Sequence, residues 1–459
     1  MPEPKRDTIC ALATPPGQSA LAIIRVSGPD SLSVLHKVFK PLRGEQKPFI
    51  ATRGDVFDLD DGICIFFPEG KSFTGEASFE LTLHGSPIIV EQVLEKLHAL
   101  GVRAAQPGEF SLRAYLEGKL DLCEAEAIAD LIHARSEEAA KLALRNLKGA
   151  LADYLEPTRN TIVDILCEIE ARLDFPDEEL GIAHRERFSQ QMRTAERVLK
   201  KLLLSSKIGQ RLMSGARVAL VGVPNAGKSM LLNALVSEDK ALVHDTPGTT
   251  RDVIEANWIL SGIPITLVDI AGLREDKNLD PVERMGIERA KKEIERADLI
   301  LWLSENTHEG GFLPNHLTVP VIKILTKQDH ELVIPAEAGI QNTSEQMLDA
   351  SLRWHDKVIP ISAKTGVGLA DLEKHMAQIL GSGAVATEEA MLTKARHKEE
   401  VQKAKECLQE ANEALLRQEP DEIIAFELRS AGASLDRLLG KNISEDVLDT
   451  IFSRFCIGK

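Results

Sequence analysis

The chain has 459 residues, 43% of them hydrophobic and 27% charged, with 55 Lys and Arg against 71 Asp and Glu for a formal net charge of −16. That length predicts about two to four domains with real cores, and the acidic balance excludes a protein that coats nucleic acid through its overall charge, leaving room only for a local basic patch. The six cysteines (Cys10, Cys64, Cys123, Cys167, Cys407 and Cys456) have neither CxxC pairs nor matching histidines, which argues against a zinc site or a disulfide framework. No run approaches the roughly 20 apolar residues of a membrane span, and MPEPKRDTICALAT lacks a long apolar signal region. A soluble protein of the reducing cytoplasm is expected.

Residues 1–120 mix β-rich runs (ALAIIRVSG, GICIFFPEG, ASFELTLHG) with a helical stretch, PIIVEQVLEKLHALG, stopped by Gly101, and predict an α+β domain. Residues 121–212 read as helical. In PTRNTIVDILCEIEARLDF, Pro157 suits a first helical turn, and Ile162, Ile165, Leu166, Ile169 and Leu173 form one apolar stripe. Helical texture returns over 385–459 in VQKAKECLQEANEALL, EIIAFELRSAGASLDRLLG and ISEDVLDTIFSRF, the last with Ser444 as N-cap. Between these lies an alternating strand and helix segment, 213–384. The economical arrangement is one helical bundle built from both flanks with a globular domain inserted; two separate helical domains are the alternative.

RVALVGVPNAGKSMLLNAL runs from a β-branched strand through Gly222-x-x-x-x-Gly227-Lys228-Ser229 into a helix. This is the P-loop pattern: backbone N–H groups wrap phosphates at a helix N-terminus, the lysine reaches the β- and γ-phosphates, and Ser229 binds magnesium. Four later segments follow in order. GTTRD offers Thr250 as a second magnesium ligand; ITLVDIAG delivers Asp269 and Gly272; VIKILTKQD ends in Thr326, Lys327, Gln328 and Asp329; VIPISAKTG ends in Ser362, Ala363 and Lys364.

This set resembles the five motifs of the GTPase superfamily, in which an aspartate at the place of Asp329 accepts from guanine N1 and N2, so GTP is expected. The family's usual Asn is Thr326 here, too short to copy the amide's contacts, and its DTAG is DIAG; the first change is expected to weaken affinity and the second to do little. The stretch 330–356 is expected to be a surface insertion. Arg274 stands after DIAGL where Ras-like proteins carry a water-positioning Gln. Asn225 and the loop ALVHDTPGTTRD resemble the potassium-activated GTPases, which implies a K⁺ held by Asn225, His244, Thr246 and Thr249; otherwise Asn225 only hydrogen-bonds its own loop. Glu283, in DPVERMGIERAKKEIERAD, is either a water-mediated catalytic residue, as the resemblance implies, or one more helix-surface acid.

IIRVSGP, FTGEASFELTLHGSP, RAYLEGKLDLCEAEAIADLI, ARLDFPDEE, GVPNAGKSMLLNAL, PGTTRD and the terminal CIGK, in that order, resemble the tRNA uridine-5-carboxymethylaminomethyl modification GTPases of the TrmE-Era-EngA-like family over the full length. The resemblance implies an N-terminal tetrahydrofolate-binding-like α+β domain, a discontinuous all-α bundle and an inserted Ras-like α/β GTPase domain. It implies GTP contacts along Asn225, Ala226, Gly227, Lys228, Ser229 and Met230, along His244, Asp245, Thr246, Pro247, Gly248, Thr249 and Thr250, along Asp269, Ile270, Ala271 and Gly272, and at Lys327, Asp329, Ser362, Ala363 and Lys364. It implies a formyl- or methylene-tetrahydrofolate donor held by Arg25, Glu80, Lys119 and Lys459, a homodimer, and an MnmG-type partner using FAD and NADH. The pair would form an aminomethyl or carboxymethylaminomethyl group at C5 of the wobble uridine of certain tRNAs. Cys456 on the tail is a candidate nucleophile or proton carrier, or incidental. The rival from another class is a GTP-dependent RNA-binding switch of the ribosome-assembly type; it predicts a basic GXXG-loop module, which neither flank contains.

Overall fold

The computed structural model describes residues 7–174, 182–223, 225–236, 254–270, 281–305, 319–328, 358–381 and 390–458. It divides into two compact units, one of Met1–Ile132, Ala143–Leu203 and Arg396–Lys459, the other of His133–Leu142 and Leu204–Ala395.

The first unit begins with β1 (Ile9–Leu12), β2 (Ser19–Ser27), α1 (Ser31–Val38), β3 (Phe39–Pro41), β4 (Thr52–Val56), β5 (Asp60–Phe67), β6 (Ser78–Gly85), α2 (Pro87–Ala99), β7 (Arg103–Ala104) and α3 (Glu109–Leu116). Seven strands pair in the order β3-β4-β5-β6-β2-β1-β7, antiparallel except for β1 with β7. The period-2 pattern of β2 sends Ala22, Ile24 and Val26 into the core with Phe79, Leu81 and Leu83, so Arg25 and its cross-strand neighbour Glu80 share the opposite face. Helix α2 starts with Pro87 at its first position and stops before Gly101, whose φ is +89°. The helices α4 (Leu122–His133), α5 (Glu137–Leu147), α6 (Ala150–Asp174) and α7 (Ile182–Ser214) follow in the chain, with 137–142 of α5 and 204–214 of α7 belonging to the second unit.

The second unit holds β8 (Ala216–Gly222), α8 (Lys228–Leu235), β9 (Ile254–Leu260), β10 (Ile263–Asp269), α9 (Pro281–Arg296), β11 (Leu299–Ser304), β12 (Val321–Leu325), β13 (Val358–Pro360) and α10 (Leu369–Leu380). Its six strands run β13-β12-β11-β8-β10-β9, parallel except for the edge pair β10 and β9. Central parallel strands are covered on both faces and so read as continuous apolar runs. Leu220, Leu301 and Ile324 pack under Leu232 of α8 and Met376 of α10. Ala219, Val221 and Ile300 face Ile294 of α9 on the other side. The result is a helix–sheet–helix sandwich in which β8 delivers its C-terminal end to the glycine-rich turn.

The first unit is completed by α11 (Ala395–Leu416), α12 (Asp421–Leu439) and α13 (Glu445–Phe452). Ser444 holds the N-cap position of α13 with extended φ and ψ, as its sequence predicts. Pro157 does not open a helix: α6 starts at Ala150, because ALADYLE is a strong helix-forming run that extends the element upstream of the proline. Ile162, Ile165 and Ile169 are buried as the stripe requires, but Leu173 is exposed at the helix end.

One buried cluster joins the early and late helices of this unit. The Glu126 carboxylate of α4 accepts from Arg396 Nη2 and contacts His397 Nε2, both at 2.7 Å, while Arg396 also donates to the carbonyls of Arg437 and Leu438 at the end of α12. Burial pushes the Glu126 carboxyl up, but His397 and Arg396 more than offset this and hold it at about 2. Cys123 donates to Leu438 O at 3.3 Å, and its Sγ with Glu126 and His397 makes a buried trio spaced like metal ligands. The Arg396 guanidinium on the same carboxylate oxygen already balances its charge, so the trio needs no ion. Glu126→Gln is expected to cost about 3 kcal/mol, because half of a buried pair is left uncompensated, read as a lower urea midpoint for this unit; an unchanged midpoint contradicts it. A carboxyl depressed to about 2 contributes stability that is fully present above its unfolded value, roughly 4.3, and lost as the pH falls towards 2, so the difference between Glu126→Gln and wild type should vanish in acid.

Candidate functional site

Two sites emerge, one in each unit. In the second, β8 ends at Gly222, where a Cβ would strike Leu303 O at 2.5 Å, and the chain turns through Asn225 at φ +65° and Gly227 at φ +85°. Gly227 is the N-cap of α8, which points its free N–H groups into the turn. Ala226 is fully buried beneath the turn and its N–H donates to Val223 O at 3.2 Å, while Met230 stays exposed.

Lys228 Nζ donates to Gly222 O at 3.0 Å and Val223 O at 3.1 Å, so the lysine closes the loop on itself. Burial lowers its pKa, opposed by Asp269. Ser229 Oγ donates to Asp269 Oδ2 at 2.8 Å across two elements. A hydroxyl and a carboxylate at the C-terminal end of a parallel sheet are hard oxygen donors that fit Mg²⁺. Ile270, buried under the sheet end, donates its N–H to Leu220 O at 3.2 Å, which fixes the chain just past Asp269.

The loop after β12 carries Thr326, buried, and Lys327 at φ +60°, whose ammonium pairs with Glu305. The loop after β13 holds Ser362 buried, its hydroxyl accepting from Thr365 N at 3.1 Å, with Ala363 half-buried and Lys364 exposed. Both loops sit at the same sheet end as the P-loop, since β12 and β13 run parallel to β8 and β11. His244, Asp245, Thr246, Pro247, Gly248, Thr249, Thr250, Ala271, Gly272, Arg274, Asp329, Lys459 and the stretch 330–356 lie outside the described residues. Glu283 falls in α9, with its side chain outside them.

In the first unit, Arg25 of β2 pairs with Glu80 of β6, Nε to Oε1 at 2.8 Å. Its guanidinium lies 5.6 Å from the ring centroids of both Phe73 and Phe110, and Nη1 donates to Gly458 O at 3.3 Å. The C-terminal tail therefore ends on the sheet face that carries Arg25. Its seat is tight: a Cβ on Gly108 would meet Phe452 O at 2.5 Å, and one on Gly458 would meet Leu12 O at 2.5 Å. Gly108 N donates to Cys456 O at 3.4 Å, and the Cys456 side chain is exposed.

Lys119 Nζ donates to Gly70 O at 2.8 Å, on the loop that also carries Phe73. That loop is braced by Ser27, Thr74 and Glu76, with Glu76 held by Arg113 at 3.0 Å. Arg113 and Arg103 in turn share Asp7 and Glu109; hydrogen bonding to Arg103 is the main reason the Asp7 carboxyl falls to about 2. Phe73, Phe110 and this ion network went unread in the sequence, because ordinary β-domain residues give no local signal for it.

A glycine turn between a central parallel strand and a helix, with a lysine and a Ser–Asp oxygen pair at its mouth, defines a P-loop nucleoside-triphosphate-binding protein. A family model described as "MnmE helical domain" matches residues 122–456, and one described as "GTP-binding protein TrmE N-terminus" matches residues 8–119. Curated relatives named tRNA modification GTPase MnmE align end to end: 38% identity with that of Thermotoga petrophila over 99% of this chain and 100% of the relative, 38% with that of Aquifex aeolicus over 99% and 100%, and 39% with that of Proteus mirabilis over 99% of each. The chain belongs to the MnmE family of tRNA modification GTPases.

The tail gives a direct test. Gly458 has φ +91°, so Gly458→Ala combines backbone strain with the clash at Leu12 and is expected to speed amide exchange over 453–458 by about tenfold or more. Exchange unchanged from wild type would mean that the tail is not held by this contact.

Proposed function

We propose that this chain hydrolyses GTP to GDP and phosphate as part of tRNA modification, and that its first unit binds a folate one-carbon donor. The observation that carries the reading is the Ser229–Asp269 hydrogen bond beside the Lys228 ammonium. It gathers at one sheet end the groups that phosphate and magnesium need, in a chain whose family is named for that activity.

On this reading Lys228 leaves the Gly222 and Val223 carbonyls for the β- and γ-phosphates, a move its partly desolvated ammonium favours because phosphate offers a charged partner. The N-terminus of α8 and the glycine turn supply backbone donors to the same oxygens. Ser229, Asp269 and Thr250 would hold Mg²⁺, which neutralises charge between the phosphates. Lys327 and Asp329, with Ser362, Ala363 and Lys364, would frame guanine. Asn225, with oxygens of His244, Thr246 and Thr249, would hold K⁺; Glu283 would orient water.

In the first unit, Arg25 and Glu80 offer a donor fork and an acceptor side by side, flanked by two aromatic faces. That combination suits a flat, polar-edged heterocycle such as a pterin, and Lys119 and Lys459 would take the carboxylates of the folate. Cys456 lies two residues before Gly458, whose carbonyl accepts from Arg25, and is a candidate participant. We read the organisation as 1–120 folate-binding and dimerising, 121–212 and 385–459 helical, and 213–384 the GTPase domain. Among the described residues no helix is long and apolar enough to cross a membrane, which is compatible with a cytoplasmic homodimer working with an MnmG-type FAD- and NADH-dependent partner on tRNA.

Steady-state GTP hydrolysis in potassium and then in sodium, at matched ionic strength, tests the ion assignment. Activation by potassium alone is expected, lost in Asn225→Ala; equal rates in both salts would remove it. In the reconstituted pair, Cys456→Ser is expected to lower tRNA modification while leaving GTP hydrolysis unchanged, and full modification by the variant would end the case for Cys456.

A further inference from the structure

The chain carries a net charge of −16, yet residues 190–203, within the first unit's share of α7, hold Arg193, Arg197, Lys200 and Lys201 against Glu196 alone. The helical period sorts them. Met192, Ala195, Leu199 and Leu202 are buried, while all four cations are exposed on the outer side. Arg193, Arg197 and Lys200 recur at i, i+4 and i+7, a stripe about 10 Å long. Glu196 is turned aside, its Oε1 accepting from Gln409 Nε2 of α11 at 2.5 Å. Among the described residues no carboxylate reaches Arg193, Arg197 or Lys200. Arg197 spends donors on its own turn, Nε to Arg193 O at 3.2 Å and Nη2 to Thr194 Oγ1 at 3.4 Å. Other exposed arginines of this unit are matched: Arg187 with Glu168, Arg429 with Glu170 at 2.6 Å and Arg417 with Glu413 at 2.8 Å. Like charges at i, i+4 spacing repel mildly, and only an anion from outside the chain offsets that cost.

Within 190–203 no large apolar side chain is exposed, whereas the centre of a protein interface needs aromatic or apolar anchors. A row of guanidinium and ammonium groups is the chemistry that holds a phosphate backbone. We propose that this outer face of α7, through Arg193, Arg197 and Lys200, is a docking surface for the phosphate backbone of the tRNA. The contact is with backbone and not with bases, so it sets affinity and position and not which tRNA is chosen. It lets a chain of acidic total charge hold a polyanion without a GXXG module, because the cations are gathered on one helix face. This inference rests on the reading of the chain as one that acts on tRNA.

The test uses the full-length chain and fluorescein-labelled tRNA, with binding followed by anisotropy from about 50 to about 200 mM salt. Arg193→Gln, Arg197→Gln and Lys200→Gln together remove charge and keep good helix formers. This variant is expected to bind at least about tenfold more weakly, with the slope of log Kd against log salt smaller by about 2 to 3 and GTP hydrolysis unchanged. Arg197→Gln alone is expected to lower the slope by about 1, and serves should the combined variant fail to fold. Lys37→Gln, Arg43→Gln and Lys47→Gln together remove the same charge from other exposed positions of the unit, and binding within about twofold of wild type is expected. Equal losses in the two triple variants overturn the proposal, because binding would then follow net charge. A stripe variant that holds tRNA like the wild type also overturns it, and if that variant loses an MnmG-type partner instead, the face is a protein interface. A wild-type chain that takes up no tRNA at low salt overturns the reading that this chain itself acts on tRNA.

Discussion

The Glu126 carboxylate sits in a buried pocket between Arg396 and His397, groups 270 and 271 positions away in the sequence. A lone carboxylate there would cost several kcal/mol, so the cluster exists only if both helices are in place. Arg396 spends its remaining donors on the carbonyls that end α12, and Tyr115 donates to Gly440 O just beyond. From that anchored point α13 and the last residues run back to Gly108, Leu12 and Arg25. The interaction therefore decides where the chain terminus lies, and with it what the Arg25 face presents.

The nucleotide side follows a different logic. There the constraint is local: a strand must end under a turn that only positive φ can make, and the helix that follows must begin with unsatisfied N–H groups. Lys228 fills the gap with its own loop's carbonyls, which keeps a half-buried cation satisfied until a better anion arrives. On the proposed reading, phosphate binding would be an exchange of partners for Lys228, with little new desolvation.

This contrast also explains what could be read in advance. The strand–turn–helix around Lys228 and the order of the later strands were legible because each motif is complete within a short stretch. Arg25 and Glu80 could be placed on strands, yet their pairing across β2 and β6 follows from register, which local pattern does not supply. Phe73 and Phe110, Glu126 with Arg396, and the landing of Gly458 on Arg25 are long-range juxtapositions with no local trace. Pro157 lies inside α6 and not at its start because an N1 preference is weak against a run of strong helix formers upstream, and one lost N–H bond inside α6 is outweighed by the packing of Ile162, Ile165 and Ile169. Leu173 lies on the stripe and is exposed, because a 3.6-residue stripe says which face is apolar and not how far the partner extends.

The proposed function turns on GTP turnover at the P-loop serving tRNA modification. The most direct measurement is nucleoside mass spectrometry of tRNA from a reaction reconstituted with an MnmG-type partner, a folate donor and GTP, comparing the wild-type chain with Lys228→Ala. A modified uridine is expected with the wild type and GTP, and none with Lys228→Ala or without GTP. Equal yields from both proteins would contradict it, since the nucleotide site would then have no part in the modification.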